Sequence, residues 1–172
     1  MKAIKFFAIA ILFSGVSVLS SAQTNNPIPP ATGTAAANII SPLAIRQDNG
    51  LEFGTIATSG TAGTVTIGHQ EALNLTWSNV SVIKPADAAR KSGKFTVTGL
   101  SGSTYKLTVP VSVTIENGAN SMSIALTNSA TSTGNILTDG TSSFYVGGTL
   151  SVGATQATGE YKGNYTVTVA YE

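Results

Sequence analysis

The chain has one histidine, His69 in "TIGHQEAL", and any proton-transfer chemistry would start there. A Ser-His-Asp arrangement would have to use it, because imidazole is the side chain that exchanges protons near neutral pH. Its surroundings read as a loop just past a strand, so an exposed loop histidine is the expectation. The absence of cysteine removes thiolate nucleophiles, disulfides and a lipid-modified N-terminal cysteine together. Neither a GxSxG elbow nor a Gly-Lys-Ser/Thr phosphate loop occurs. The carboxylates Asp48, Glu52, Glu71, Asp87, Glu116, Asp139 and Glu160 stand singly, without the spacing of a calcium loop. Two of them could meet in space as a glycosidase pair does, which spacing alone does not reveal. The expectation is a protein that is not an enzyme, with no catalytic residues, no cofactor and no metal site.

Two further residue sets could carry chemistry. Asn74-Leu75-Thr76, Asn79-Val80-Ser81 and Asn164-Tyr165-Thr166 match the glycosylation sequon, which arises by chance in a chain this rich in threonine. Trp77, Tyr145 and Tyr161 could contact a glycan or a protein, although core packing is the default place for an aromatic ring.

The elements that would position these residues are strands. "YKLTVPVSVTIE" sets Tyr105, Leu107, Val109, Val111, Val113 and Ile115 on one parity and Lys106, Thr108, Ser112, Thr114 and Glu116 on the other. Pro110 cannot donate to a ladder, so this stretch is an edge there, or it bends and changes partner. The same period recurs in "KFTVTG", "SMSIALT", "GTVTIG" and "LNLTW". Turn pairs lie between the strands: Asn49-Gly50, Asn117-Gly118, Asp139-Gly140 and Gly147-Gly148. About eight to ten short strands, enough for two packed sheets, give an all-β antiparallel β-sandwich. "KPADAARKSG", Lys84 to Gly93, is a surface loop with at most one helical turn.

The N-terminus has the parts of an export signal. Lys2 and Lys5 precede an apolar run from Phe6 to Leu12, and the small residues Ser20 and Ala22 suit cleavage after Ala22. The apolar run is shorter than the roughly 20 residues of a membrane span. Residues 1–22 are therefore a signal peptide, 23–33 a flexible arm and 34–172 a single β-sandwich domain. The expectation is export to the periplasm, cell surface or medium, with no membrane insertion after cleavage. Removing Lys2 and Lys5 leaves seven basic residues against eight acidic ones, with no basic patch for nucleic acid.

The C-terminal stretch "GEYKGNYTVTVAYE" carries the cleanest alternation of all. Tyr161, Gly163, Tyr165, Val167, Val169 and Tyr171 face one way, Lys162, Asn164, Thr166, Thr168, Ala170 and Glu172 the other. Chain ends usually fray, so such a pattern at a terminus points to something that grips it. Gly159 lies fourteenth from the end and Tyr171 is penultimate, which resembles the C-terminal motif of chaperone–usher pilus subunits. That resemblance implies an incomplete immunoglobulin-like, pilin-like sandwich. A periplasmic chaperone would grip its last strand until an N-terminal extension of the next subunit completes it. The implied partner-binding residues are Gly159, Tyr161, Tyr165, Val167, Val169 and Tyr171. The implied donor strand spans Ala35, Ala37, Ile39, Leu43 and Ile45.

A wider resemblance, from about Ala35 to Glu172, is to an uncharacterised family of secreted bacterial β-domains akin to the spore-coat-U type. It rests on "LEFGTI", "KFTVTGLSGSTYKLTVP", the Met122 strand and "VGGTLSVGATQATGEYKGNYTVTVAY". These blocks imply no activity; the C-terminal motif implies a structural subunit of a bacterial surface fibre or coat, assembled by strand exchange with its own copies or related subunits. The alternative is a self-contained secreted sandwich that binds a surface glycan or protein.

Overall fold

In a computed structural model of the protein, the described residues are 28–82 and 90–172. The expected signal peptide, residues 1–22, lies outside them, as does most of the stretch from Lys84 to Gly93 expected as a surface loop. The chain divides into two units, Met1–Ala37 and Asn38–Glu172. In the first, residues 28–37 are exposed and belong to no strand or helix.

The second unit is all-β and antiparallel, because alternation of β-branched and hydroxyl residues continues through it. Its strands are β1 Ala44–Asn49, β2 Ile56–Thr58, β3 Gly63–Ile67, β4 Leu75–Ser78, β5 Val80–Val82, β6 Gly93–Thr98, β7 Thr104–Thr108, β8 Ser112–Asn117, β9 Asn120–Asn128, β10 Asn135–Ile136, β11 Thr141–Val152 and β12 Thr168–Tyr171. Twelve strands among the described residues exceed the eight to ten expected. The surplus comes from β2, β5 and β10, which are too short to show a period.

A seven-stranded sheet runs β1-β6-β11-β3-β4, with β9 also on β11 and β8 on β9; β10-β7-β12 and β2-β5 form two small sheets. The twelve-residue β11 organises the large sheet. Thr141–Val146 pairs β6 and Gly148–Val152 pairs β3, while Val146–Leu150 also pairs β9. Gly147-Gly148 was expected to turn the chain; it lies instead inside β11, where three neighbouring strands converge.

Two other turn pairs do make tight turns, the first closing the β8–β9 hairpin. Gly118 at φ +59° opens the two-residue loop between β8 and β9, and Asp139-Gly140, at +51° and +77°, has the double positive φ of a type I′ turn. Pro110 ends one strand run, as its missing N–H requires: β7 joins the small sheet and β8 the large one. Val111 consequently leaves the parity and is exposed.

Side chains directed inward form two clusters. Phe53, Val65, Ile67, Val80, Ile124, Leu150 and Val152 make the first. Phe95, Val97, Tyr105, Leu107, Leu137, Phe144 and Val146 make the second, and Phe95 and Phe144 stack directly across β6 and β11 with centroids 5.4 Å apart.

The strand expected from Thr34 begins only at Ala44. Ile45, expected in a donor strand, is already committed to the fold: it pairs Val97 within β1. A ladder needs a neighbour, and β6 offers one only from Thr98 back to Lys94. The C-terminal strand is also shorter than its alternation implied. Residues 159–167 form no strand apart from a single bridge between Lys162 and Glu116 of β8, and only Thr168–Tyr171 pairs β7. The stretch crosses from one sheet to another, so no single neighbour runs along it.

Candidate strand-docking edge

β12 ends the small sheet, hydrogen-bonded to β7 on one side and, among the described residues, to no strand on the other. Its register sets Val169 opposite Leu107 and Tyr171 opposite Tyr105, so its inward row lies over the second cluster. Leu107 and Tyr105 are fully covered, whereas Tyr165, Val167, Val169 and Tyr171 are all only half-buried. An apolar row beside a free edge is the geometry that accepts an added strand.

The two tyrosines of this row are held differently. The Tyr165 ring meets Phe95 edge-on at 6.1 Å, and Gly93 makes room for it, since a Cβ there would come 2.8 Å from its hydroxyl. That hydroxyl is buried without a hydrogen-bond partner, and burial pushes its pKa up to about 12. The Tyr171 hydroxyl accepts from the Leu100 N–H at 2.8 Å and donates to the Ser41 carbonyl at 2.9 Å. Tyr171 thereby ties the chain just before β1 to the last strand. Replacing Tyr171 with Phe is expected to lower stability by about 1–2 kcal/mol, because two hydrogen bonds go. Tyr165→Phe should leave it within about 0.5 kcal/mol or raise it, because an unsatisfied buried hydroxyl goes. Urea unfolding of both variants checks the contrast; a loss in Tyr165→Phe equal to that in Tyr171→Phe would contradict it.

The remaining sequence-derived residues lie elsewhere. Gly159 has φ +148°, and a Cβ there would run into the Asn117 side-chain amide. Tyr161 is pinned in the loop after β11, where its hydroxyl accepts from Gln156 Nε2 and donates to the Ala157 carbonyl. Of the donor residues, Leu43 and Ile45 pack at the margin of the second cluster. Ala35, Ala37 and Ile39 are exposed, Ile39 at 94%. Sequence reasoning missed Ser41, which acts through its backbone carbonyl, and Ala130, whose place beside the row no pattern marks.

His69 is exposed, as expected of a loop histidine, with Nδ1 3.1 Å from the Thr127 hydroxyl. Among the described residues no three His, Cys, Asp or Glu side chains converge as metal ligands would. The aromatic residues assigned by default to the core are not in it. Trp77 is 48% exposed on β4, and Tyr145 carries Lys94 Nζ 5.5 Å above its ring.

Compared with known families, residues 43–171 match the family described as Domain of unknown function (DUF4402). The chain belongs to that family. The DUF4402 match spans β1 through β12 and so includes both clusters and the half-covered row. No curated protein and no solved structure matches the chain.

Proposed function

We propose that this DUF4402 chain is an exported structural subunit of a bacterial surface fibre or coat, assembled by β-strand exchange between pilin-like, immunoglobulin-like sandwiches. The observation that carries the reading is the half-buried row Tyr165, Val167, Val169 and Tyr171 beside the free edge of β12. Each is apolar on the face that meets the core, and each retains exposed surface for an added strand to cover. Covering such a row recovers roughly 25 cal/mol per Å² of apolar surface, and ladder hydrogen bonds set the register.

The donor is the segment of another copy from Ala35 to Ile40. Ile39 and Ile40 bring large apolar side chains that their own chain leaves 94% and 45% exposed. A periplasmic chaperone would hold the same edge before assembly. Export follows from the N-terminal signal pattern.

The test compares the chain from Gln23 to Glu172 with its Ile39→Asp variant by size exclusion with light scattering. The parent is expected to polymerise. The variant, which would bring a carboxylate into an apolar groove, should stay monomeric and be stabilised by a synthetic peptide covering Ala35 to Leu43. A parent that remains a folded monomer, with an unchanged melting temperature when the peptide is added, would refute strand exchange.

A further inference from the structure

Among the described residues, the sheet edges other than that of β12 differ in chemistry. β1 displays Arg46 and Asp48, joined by an ion pair of 2.8 Å. β8 is covered by the Lys162 bridge, and β2, β5 and β10 are three, three and two residues long. Charge, cover and brevity are the ordinary devices that keep an edge from pairing with another molecule. Among the described residues β4 has none of the three in full. It ends the large sheet, and the chain from Ala72 to Val82 contains no charged residue.

The side chains along this edge are apolar where they need not be. Leu75 and Trp77 lie opposite Ile67 and Val65, so they share the core-facing side of the sheet. Ile67 and Val65 are fully buried, but Trp77 is 48% exposed and Leu73, just before the strand, 45%. Asn79, at φ +53°, bends the chain away toward the β2–β5 sheet, which limits the free ladder to about Asn74–Ser78.

We propose that β4 is a self-association edge on which β4 of a second copy of this chain pairs antiparallel, about a two-fold axis at Thr76. The strand is self-complementary in that register. Thr76 faces its own counterpart, a favourable cross-strand pair, and Trp77 of each copy lies opposite Leu75 of the other. Asn74 faces Ser78. No charge opposes another anywhere along the contact, and two bends at Asn79 define a ladder of one length on both sides. The pairing makes the two large sheets one and covers both tryptophans, the residue type that most often anchors an interface. A two-fold contact of this kind closes on itself.

The inference does not rest on strand donation, and the experiment separates the two. The chain from Gln23 to Glu172 carrying Ile39→Asp, in which donation is removed, is followed by sedimentation velocity from about 1 to about 200 µM, the range in which micromolar contacts assemble. A monomer–dimer equilibrium is expected. Thr76→Lys and Thr76→Glu, each placing like charges together at the axis, should weaken the dimer by about tenfold or more. Mixing the two should restore it as a heterodimer. Trp77→Thr, which removes a side chain lying largely outside the core, should weaken the dimer and leave the circular dichroism spectrum unchanged. A monomer throughout the range, homodimers undiminished in both Thr76 variants, or a mixture that stays monomeric would each overturn the proposal. So would loss of Ala35–Leu43 peptide binding on Thr76→Lys, since the edge would then belong to the donor segment.

Discussion

Gly147→Ala is expected to lose about 3 kcal/mol or more, enough to unfold a domain of ordinary stability at modest temperature. A Cβ at this position would run into the Ile67 carbonyl oxygen and stand 2.6 Å from the Gly68 carbonyl carbon and 2.7 Å from the His69 nitrogen. All three are backbone atoms at the end of β3, so no rotamer change relieves the contact. On the other side of the strand, a Cβ at Gly148 would meet Ile124 Cγ2 at 2.7 Å and the Ala125 carbonyl at 2.9 Å. Together the two glycines let β11 pass from β6 to β3 while β9 holds its opposite edge. Gly102→Ala is the control. Its φ is +77°, but nothing lies within 4 Å of a Cβ there, so only the left-handed backbone opposes it, at about 1–2 kcal/mol. Equilibrium urea unfolding measures both, and equal losses would mean that crowding at Gly147 is relieved by movement of β3.

That pair of glycines also marks where sequence reasoning stops. Gly-Gly between apolar runs has the composition of a turn, and nothing local separates a turn from a crossing where strands crowd together. The difference lies in β3 and β9, which are remote in sequence and arrive by pairing. Asp139-Gly140 and Gly118, by contrast, act through their own backbone angles, and a local signal was enough for both. Pro110 was legible for the same reason, since its effect comes from its own missing donor.

The candidate edge divides along the same line. Alternation from Tyr165 to Tyr171 is local and foretold the facing of each side chain. How far the ladder extends depends on which strand lies alongside, and only β7 does, for four residues. Half-burial of the whole row is likewise a property of what is absent from one side, which no period encodes. The donor expectation failed at Ile45 because its alternation with Leu43 continues into β1 without a break. A continuous pattern hides the point where a segment leaves its own domain. Tyr171 marks that point by bonding the Ser41 carbonyl.

Phe144→Ala is expected to cost about 3–5 kcal/mol, and its effect should reach the edge as well as the core. Phe144 is 1% exposed and stacks on Phe95 with an interplanar angle of 9°. Phe95 in turn supports the Tyr165 ring, the first member of the half-covered row. Truncation removes one ring from a contiguous group of three, two stacked and one edge-on, so part of the loss is the cavity and part the freedom returned to Phe95. Phe144→Leu keeps most of the volume without the stacking and should cost about half as much. In the Ile39→Asp background, both variants can be titrated with the Ala35–Leu43 peptide below their unfolding midpoints. Phe144→Ala is expected to weaken peptide capture by about tenfold through the tilt of Tyr165, whereas a distant core truncation of similar cost, Val65→Ala in the first cluster, should leave capture unchanged. Equal capture by both would mean that the row is positioned by β7 alone and that the ring group serves only the core.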